Sequence, residues 1–301
     1  MRYTPRLESL EIRTVPSTVS FNPTTATLTV TGTNKKDSIV ITDDGTNNAG
    51  AVVVSGNGAT LFTSGATAGV NQVHTINVNT LGGKNDSVVF TLTGNMVANN
   101  RGISATFGSG KNDKFAANVH GNLANSFLLL QATGGGGGDR LLGSMTGSLN
   151  GSSFLGFLYK GGTGKDHINI DATNSVAIGP LAQLTAQADG GSQADNVTVG
   201  YEGQMQGALF LNAAGSAGND HVKAAVAFDG VSNGLLFGPT SPNTGKAAAQ
   251  VTGGNGKDHL AFEVDLSGTL KPASAEEIDG GAGVDFCTPV GAISGIFNCE
   301  H

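Results

Sequence analysis

The sequence predicts an all-β fold, a parallel β-solenoid (β-helix) of roughly ten coils with about 27 residues per coil. Three observations predict it. A glycine-rich turn ending in aspartate recurs along the chain. Each copy leads into a strand whose apolar residues alternate. No stretch of the repeat region carries the period of about 3.6 residues expected of a helix.

The clearest copies of the turn are Gly134-Gly-Gly-Gly-Gly-Asp139, Gly161-Gly-Thr-Gly-Lys-Asp166, Gly253-Gly-Asn-Gly-Lys-Asp258 and Gly280-Gly-Ala-Gly-Val-Asp285. Looser copies end at Asp37, Asp86, Asp113, Asp195 and Asp220, and the nine aspartates are separated by 49, 27, 26, 27, 29, 25, 38 and 27 residues. A fixed period of this length marks a unit that cannot bury its apolar face alone and must stack on its neighbours. After each aspartate the residues at offsets 2 and 4 are apolar: Ile39 and Ile41, Val88 and Phe90, Ile168 and Ile170, Val197 and Val199, Leu260 and Phe262. Alternation with period 2 is the strand signal, so these offsets face the coil interior and offset 1 faces out. Glycine returns at offset 8 in Gly45, Gly94, Gly121, Gly147 and Gly203, marking a second turn. A second strand, such as Ser126–Gln131 or Ala208–Asn212, then leads into the next aspartate turn. One repeat therefore makes one coil. An antiparallel meander shares the period, but only the parallel stack aligns the aspartates along one edge.

Residues 1–20 read as an N-terminal tag or short helix, 21–286 as the solenoid and 287–301 as a C-terminal cap. Thr24–Thr31 alternates cleanly and begins the first coil. The 49-residue gap after Asp37 predicts a hidden coil without aspartate near Val52 to Phe62. The 38-residue gap after Asp220 predicts a projecting loop at Phe237–Lys246. Cys287 and Cys299 are the only cysteines, and their spacing suits a disulfide pinning the terminal cap; a zinc pair would need two more ligands, and only His301 lies nearby.

Composition excludes several function classes. The net charge is −7, only five arginines are present, and no basic stripe interleaves with aromatics, which argues against nucleic acid as a partner. Trp is absent and Tyr numbers three, a poor kit for stacking on sugar rings. No apolar run approaches a membrane span, so no transmembrane segment is expected.

The turn resembles G-G-x-G-x-D-x-U, the calcium-binding repeat of RTX (hemolysin-type) proteins. Gly161–Ile168 and Gly253–Leu260 match throughout; Gly134–Leu141 and Gly280–Phe286 match in most positions. The resemblance implies Ca2+ held by glycine carbonyls and carboxylates, with Asp139, Asp166, Asp195, Asp220, Asp258 and Asp285 as candidate ligands. Two departures qualify it. RTX motifs repeat every nine residues or so, whereas here one turn falls in each coil of about 27 residues. Lys35, Lys36, Lys84, Lys111, Lys165 and Lys257 also crowd the turns, where an ammonium can take the cation's role. The other reading of the aspartate is a cap on its own turn, accepting hydrogen bonds from backbone amides. His167, His221 and His259 sit at offset 1, a column that other repeats fill with Ser38, Ser87, Lys114, Arg140 and Asn196, so it reads as polar surface rather than a zinc site.

Arg6–Ser17 resembles the short L-E-x-L-E-x-R-x-x-P-S box that opens secreted or surface repeat proteins of some bacteria, with Ile12 where the box carries Asp; otherwise the segment reads as a short amphipathic helix. The resemblance and the cysteine pair imply an extracellular or cell-surface location. The expected function is a non-catalytic structural or adhesive solenoid, with other surface proteins or polysaccharide as partners and end-to-end self-association at uncapped coils. The alternative is a polysaccharide lyase or hydrolase acting through Asp171 and Glu202, outward residues of adjacent coils roughly 8 Å apart by strand spacing and rise.

Overall fold

A computed structural model describes residues 18–65, 72–174, 176–228, 235–236, 249–265, 276–291 and 295–300. The described residues contain strands and turns and no helix, and the chain winds as a parallel β-solenoid. The N-terminal box and the Phe237–Lys246 loop lie outside the described residues.

Two long sheets form the body. The first stacks the strands that precede each aspartate turn, from Thr27–Thr31 through Thr75–Asn79, Asn100–Thr106, Phe127–Gly136, Phe154–Thr163, Gln183–Ser192, Ala208–Gly218, Ala249–Gly256 and Glu276–Gly283 to Gly295–Phe297. The second stacks the strands that follow it: Ser38–Asp43, Ser87–Leu92, Lys114–Val119, Arg140–Met145, His167–Ala172, Asn196–Gly203, His221–Phe228, His259–Asp265 and Phe286–Val290. Each strand pairs in parallel with its counterpart one coil away, residue for residue, so Phe115 lies opposite Val88 on one side and Leu141 on the other. A short third sheet of Met96–Val97, Leu123–Ala124 and Leu149–Asn150 closes the cross-section into three sides, and bridges from Leu149 to Ile178 and on to Met205 extend it.

The core is a column of these inward residues. Ile39, Ile41, Val88, Phe90, Ile168, Ile170, Val197, Val199 and Phe262 are fully buried, as the offset-2 and offset-4 pattern predicts. Bulk is balanced locally. A Cβ at Gly143 would meet the Phe157 ring and the Tyr159 hydroxyl at under 3.0 Å, so the glycine makes room for Tyr159, which packs edge-on against Phe115 and donates to the Leu142 carbonyl.

Seven coils, from the Thr75–Asn79 and Ser87–Leu92 pair to the Ala249–Gly256 and His259–Asp265 pair, have parallel neighbours on both sides, giving about seven turns rather than ten. The difference lies at the ends. Val52–Gly56 and Ala59–Thr63 are not a hidden coil: they form a hairpin that pairs antiparallel with Ser38–Asp43, and the register passes directly from Ser38–Asp43 to Ser87–Leu92. Thr18–Asn22 likewise covers Thr27–Thr31 antiparallel. Both additions interrupt the parallel ladder at the first coil, where an exposed edge would invite another chain. At the other end Cys287 and Cys299 form a disulfide that ties Phe286–Val290 to the last residues described.

Arg101 is an ion in a column of leucines. It lies in register with Leu128, which lies in register with Leu155, yet it is 1% exposed. Its Nε donates to Asp43 Oδ2 at 2.6 Å and an Nη to the Thr46 carbonyl at 3.2 Å, so it fastens the 43–46 turn of the first coil to the next. Sequence reading missed this pair because the partners are 58 residues apart and neither belongs to the repeat.

Breaking a buried pair from one side strands the other charge. Arg101→Leu should lower unfolding free energy by about 3–5 kcal/mol in chemical denaturation. Adding Asp43→Asn, which keeps an acceptor for the Gly45 amide, should recover most of that loss. An additive double variant would contradict the assignment.

Candidate functional site

The nine turn aspartates lie along one edge, as predicted, but inside it. All are 0–3% exposed. The backbone N–H of each donates to Oδ1 of the aspartate in the following coil: Asp37 to Asp86 at 2.7 Å, Asp86 to Asp113 at 2.8 Å, Asp113 to Asp139 at 2.9 Å, and Asp139 to Asp166 at 2.7 Å. The row continues from Asp166 to Asp195 at 2.7 Å, Asp195 to Asp220 at 2.8 Å, Asp220 to Asp258 at 2.8 Å and Asp258 to Asp285 at 3.0 Å. In the opposite sense, the amide after each aspartate donates to the previous aspartate's carbonyl, as from His167 to Asp139 and from Asn196 to Asp166. The carboxylate therefore caps the neighbouring coil. At the first coil the expected cap within one turn does occur, where Thr33 N–H donates to Asp37 Oδ2 at 2.6 Å.

The glycines follow from this geometry. A Cβ at Gly134, Gly161, Gly190, Gly215, Gly253 or Gly280 would fall under 3.0 Å from Oδ2 of the aspartate five residues on. At Gly134, Gly161 and Gly253 the carbonyl of the next coil's matching glycine crowds the same point. The second and fourth glycines of the strict turns hold positive φ, 107° and 132° at Gly162 and Gly164 and 104° and 151° at Gly254 and Gly256, conformations that L side chains rarely adopt. The loose turns before Asp86 and Asp113 solve the corner differently, with Asn85 and Asn112 in the left-handed region at φ 60° and 59°. Asparagine tolerates that region better than other L residues.

Oδ1 is satisfied; Oδ2 is not. Among the described residues Oδ2 of Asp86, Asp113, Asp139, Asp166, Asp195, Asp220, Asp258 and Asp285 is buried without a donor. Burial pushes the Asp139 and Asp195 carboxyls up to about 7 and that of Asp220 up to about 6, and like charges in adjacent coils add to the rise. Desolvation also raises Asp86, Asp113, Asp166 and Asp258, against the lowering effect of the backbone amide each accepts.

Four of the six turn lysines do not take the cation's place. No ammonium of Lys84, Lys111, Lys165 or Lys257 pairs with a carboxylate of the row; Lys257 lies over the Phe286 ring, its Nζ 5.2 Å from the centroid. No group of three or more His, Cys, Asp or Glu side chains converges on a metal position among the described residues. The donor chemistry nonetheless fits a hard cation: the unsatisfied Oδ2 atoms and the glycine carbonyls that border them at Gly134, Gly161 and Gly253 are all oxygens. A metal here would be held by one carboxylate oxygen per coil plus main-chain carbonyls.

The enzymatic candidates lie on the outer face of the second sheet. Asp171 is in register with Gly200, two residues before Glu202 on the adjacent strand. Strand spacing and rise keep the diagonal separation at roughly 8 Å. The Asp171 carboxylate accepts the backbone N–H and the hydroxyl of Thr173, closing its own turn. Glu263, further along the same face, pairs with Lys223 at 2.8 Å.

Two polar features escaped the sequence reading. Asn99 N–H donates to Ser126 Oγ and Ser126 N–H to Ser153 Oγ, a second coil-to-coil row at another corner. Its 27-residue spacing was the available signal. The His221, His259 and Phe286 rings also stack, at 4.9 Å and 5.4 Å between centroids. No protein-family model, no curated protein and no solved structure matches this chain significantly.

Two outcomes test the row. Carboxyls raised in the folded state contribute stability that is complete below their unfolded value and lost as pH rises through about 7, so in metal-free buffer the melting temperature should climb between about pH 8 and about pH 5. Asp139→Asn keeps the Oδ1 acceptor and removes the buried charge; it should stabilise by on the order of 2 kcal/mol at about pH 8 and lose that advantage near pH 4. Gly161→Ala drives a methyl into Asp166 Oδ2 and the Gly190 carbonyl, and should cost about 1–3 kcal/mol in denaturant melts.

Proposed function

We propose that this chain is an exported, non-catalytic β-solenoid with a structural or adhesive role at the cell surface. The observation that carries the reading is where its acidic chemistry lies. Nine aspartates are turned inward and engaged in coil-to-coil bonding, so the repeated carboxylates of the turns serve the stack. The terminal disulfide supports an oxidising compartment. The antiparallel strands over the first coil suit a rod that ends rather than polymerises there. No helix of the described residues is long and apolar enough to cross a membrane.

Calcium along the aspartate row is a second reading, favoured by eight buried Oδ2 atoms that lack a donor. It names Asp86, Asp113, Asp139, Asp166, Asp195, Asp220, Asp258 and Asp285 as ligands, two more than the sequence motif suggests. An ion bound only to the folded chain must raise its stability. The enzyme alternative draws less support, because Asp171 is held by its own turn and Glu263 by Lys223.

Melting at about pH 8, where the row is ionised, separates protons from calcium. With calcium bound, adding EDTA should lower the transition by several degrees, and Asp139→Asn should blunt that loss; an unchanged transition removes calcium and leaves protonation to quiet the row. Fractionating source cells checks the role itself. The chain should appear in the surface or culture fraction and release no sugar from acidic polysaccharides, whereas confinement to the cytosol or turnover lost on Asp171→Asn would overturn the proposal.

A further inference from the structure

The outer face of the second sheet is charge-segregated. Its first outward column runs in unbroken register from Lys114 through Arg140, His167, Asn196 and His221 to His259, and Phe286 ends it. The next outward column, two residues along, holds Ala116, Leu142, Asn169, Thr198, Lys223 and Ala261 over the same coils. Neither column contains a carboxylate, although the chain carries a net charge of −7. The acids of this face, Asp171, Glu202, Glu263 and Asp265, are displaced to its far side. Lys114, Arg140, Asn196, His221 and His259 are exposed and Phe286 is 39% exposed, so the column is free to meet a partner.

At its C-terminal end the column opens into a groove of about 310 Å³, bordered by Asn196, Thr198, His221, Lys223, His259 and Phe286. The rings of His221, His259 and Phe286 lie nearly parallel there, with interplanar angles of 19° and 15°. Lys257 adds an ammonium over Phe286. The groove thus offers cations, planar rings and short amide and hydroxyl side chains together, repeated at the strand spacing of about 4.8 Å.

We propose that this column is a binding track for an acidic polysaccharide, a linear glycan bearing carboxylate or sulfate groups. The inference rests on the adhesive reading above and names its ligand class. Cations at Lys114, Arg140 and Lys257 meet the acid groups, Asn196 and Thr198 meet ring hydroxyls, and the edges of the stacked His221, His259 and Phe286 rings border the chain. A single-stranded nucleic acid fits less well: its denser charge is repelled by the acidic body, and stacked rings that present their edges make no platform for bases.

The test uses the full chain and four immobilised polymers: polygalacturonate, a sulfated glycan, neutral dextran and single-stranded DNA. Biolayer interferometry should show binding to at least one acidic glycan that weakens as salt rises. Lys114→Glu with Arg140→Glu should reduce that affinity about tenfold or more, since it reverses two of the facing charges. His259→Ala with Phe286→Ala should reduce it several-fold. Lys160→Glu reverses one charge on the first sheet and should leave it unaltered. Lys114→Gln with Arg140→Gln is the milder substitute if charge reversal lowers the melting temperature. Equal binding to dextran, tighter binding to DNA, or indifference to both track variants overturns the proposal. A chain found outside the cell that binds neither acidic glycan removes the track and leaves the surface role standing; a cytosolic chain removes that role.

Discussion

The rest of the structure depends on the hydrogen bond between one coil's aspartate N–H and the next coil's aspartate Oδ1. A solenoid corner is where backbone amides turn away from the sheet ladder and risk burial without a partner. Such a group costs as much as a lost hydrogen bond or more. The aspartate supplies the missing acceptor from the neighbouring coil, so a single side chain per repeat both closes its corner and fixes the stagger between coils. In seven of the nine turns a glycine five residues earlier is its steric complement, since any side chain there would occupy the space that Oδ2 fills. The motif is thus one device, an inward carboxylate and the hole that admits it.

That device brings a liability with it. A carboxylate stripped of water and set one strand spacing from the next resists ionisation, most strongly at Asp139 and Asp195. The fold accepts it in exchange for register. The apolar column alone would hold coils together without saying how far one may slide, because Ile, Val and Leu pack interchangeably. Directional bonds at two corners, the aspartate row and the Asn99–Ser126–Ser153 row, remove that freedom.

Much of this was legible in the sequence, for a physical reason. When one coil repeats, every steric demand repeats with it, so the 27-residue period exposes the turn, the inward offsets and the second glycine corner at once. Ile168 and Ile170, or Val197 and Val199, could be assigned inward from spacing alone. The direction of the aspartate side chain was not legible, because a cap within the turn and a cap between coils use the same residues at the same spacing. The Val52–Thr63 segment misled for a related reason: an alternating strand looks the same whether its partner runs parallel or antiparallel. Arg101 and Asp43 were invisible because they occur once, and periodicity reveals only what recurs.

The aspartate row has a direction, since every link runs from the amide of one coil to the carboxylate of the coil after it. Each interior coil therefore offers a donor on one side and an acceptor on the other, identical to those of its neighbours. Such a chain can gain or lose whole coils by duplication or deletion of its coding repeat without creating an unmatched group at the seam. The length of the rod is thereby left open to selection, while the ends, with their hairpin, buried arginine pair and disulfide, are the parts that cannot be copied freely.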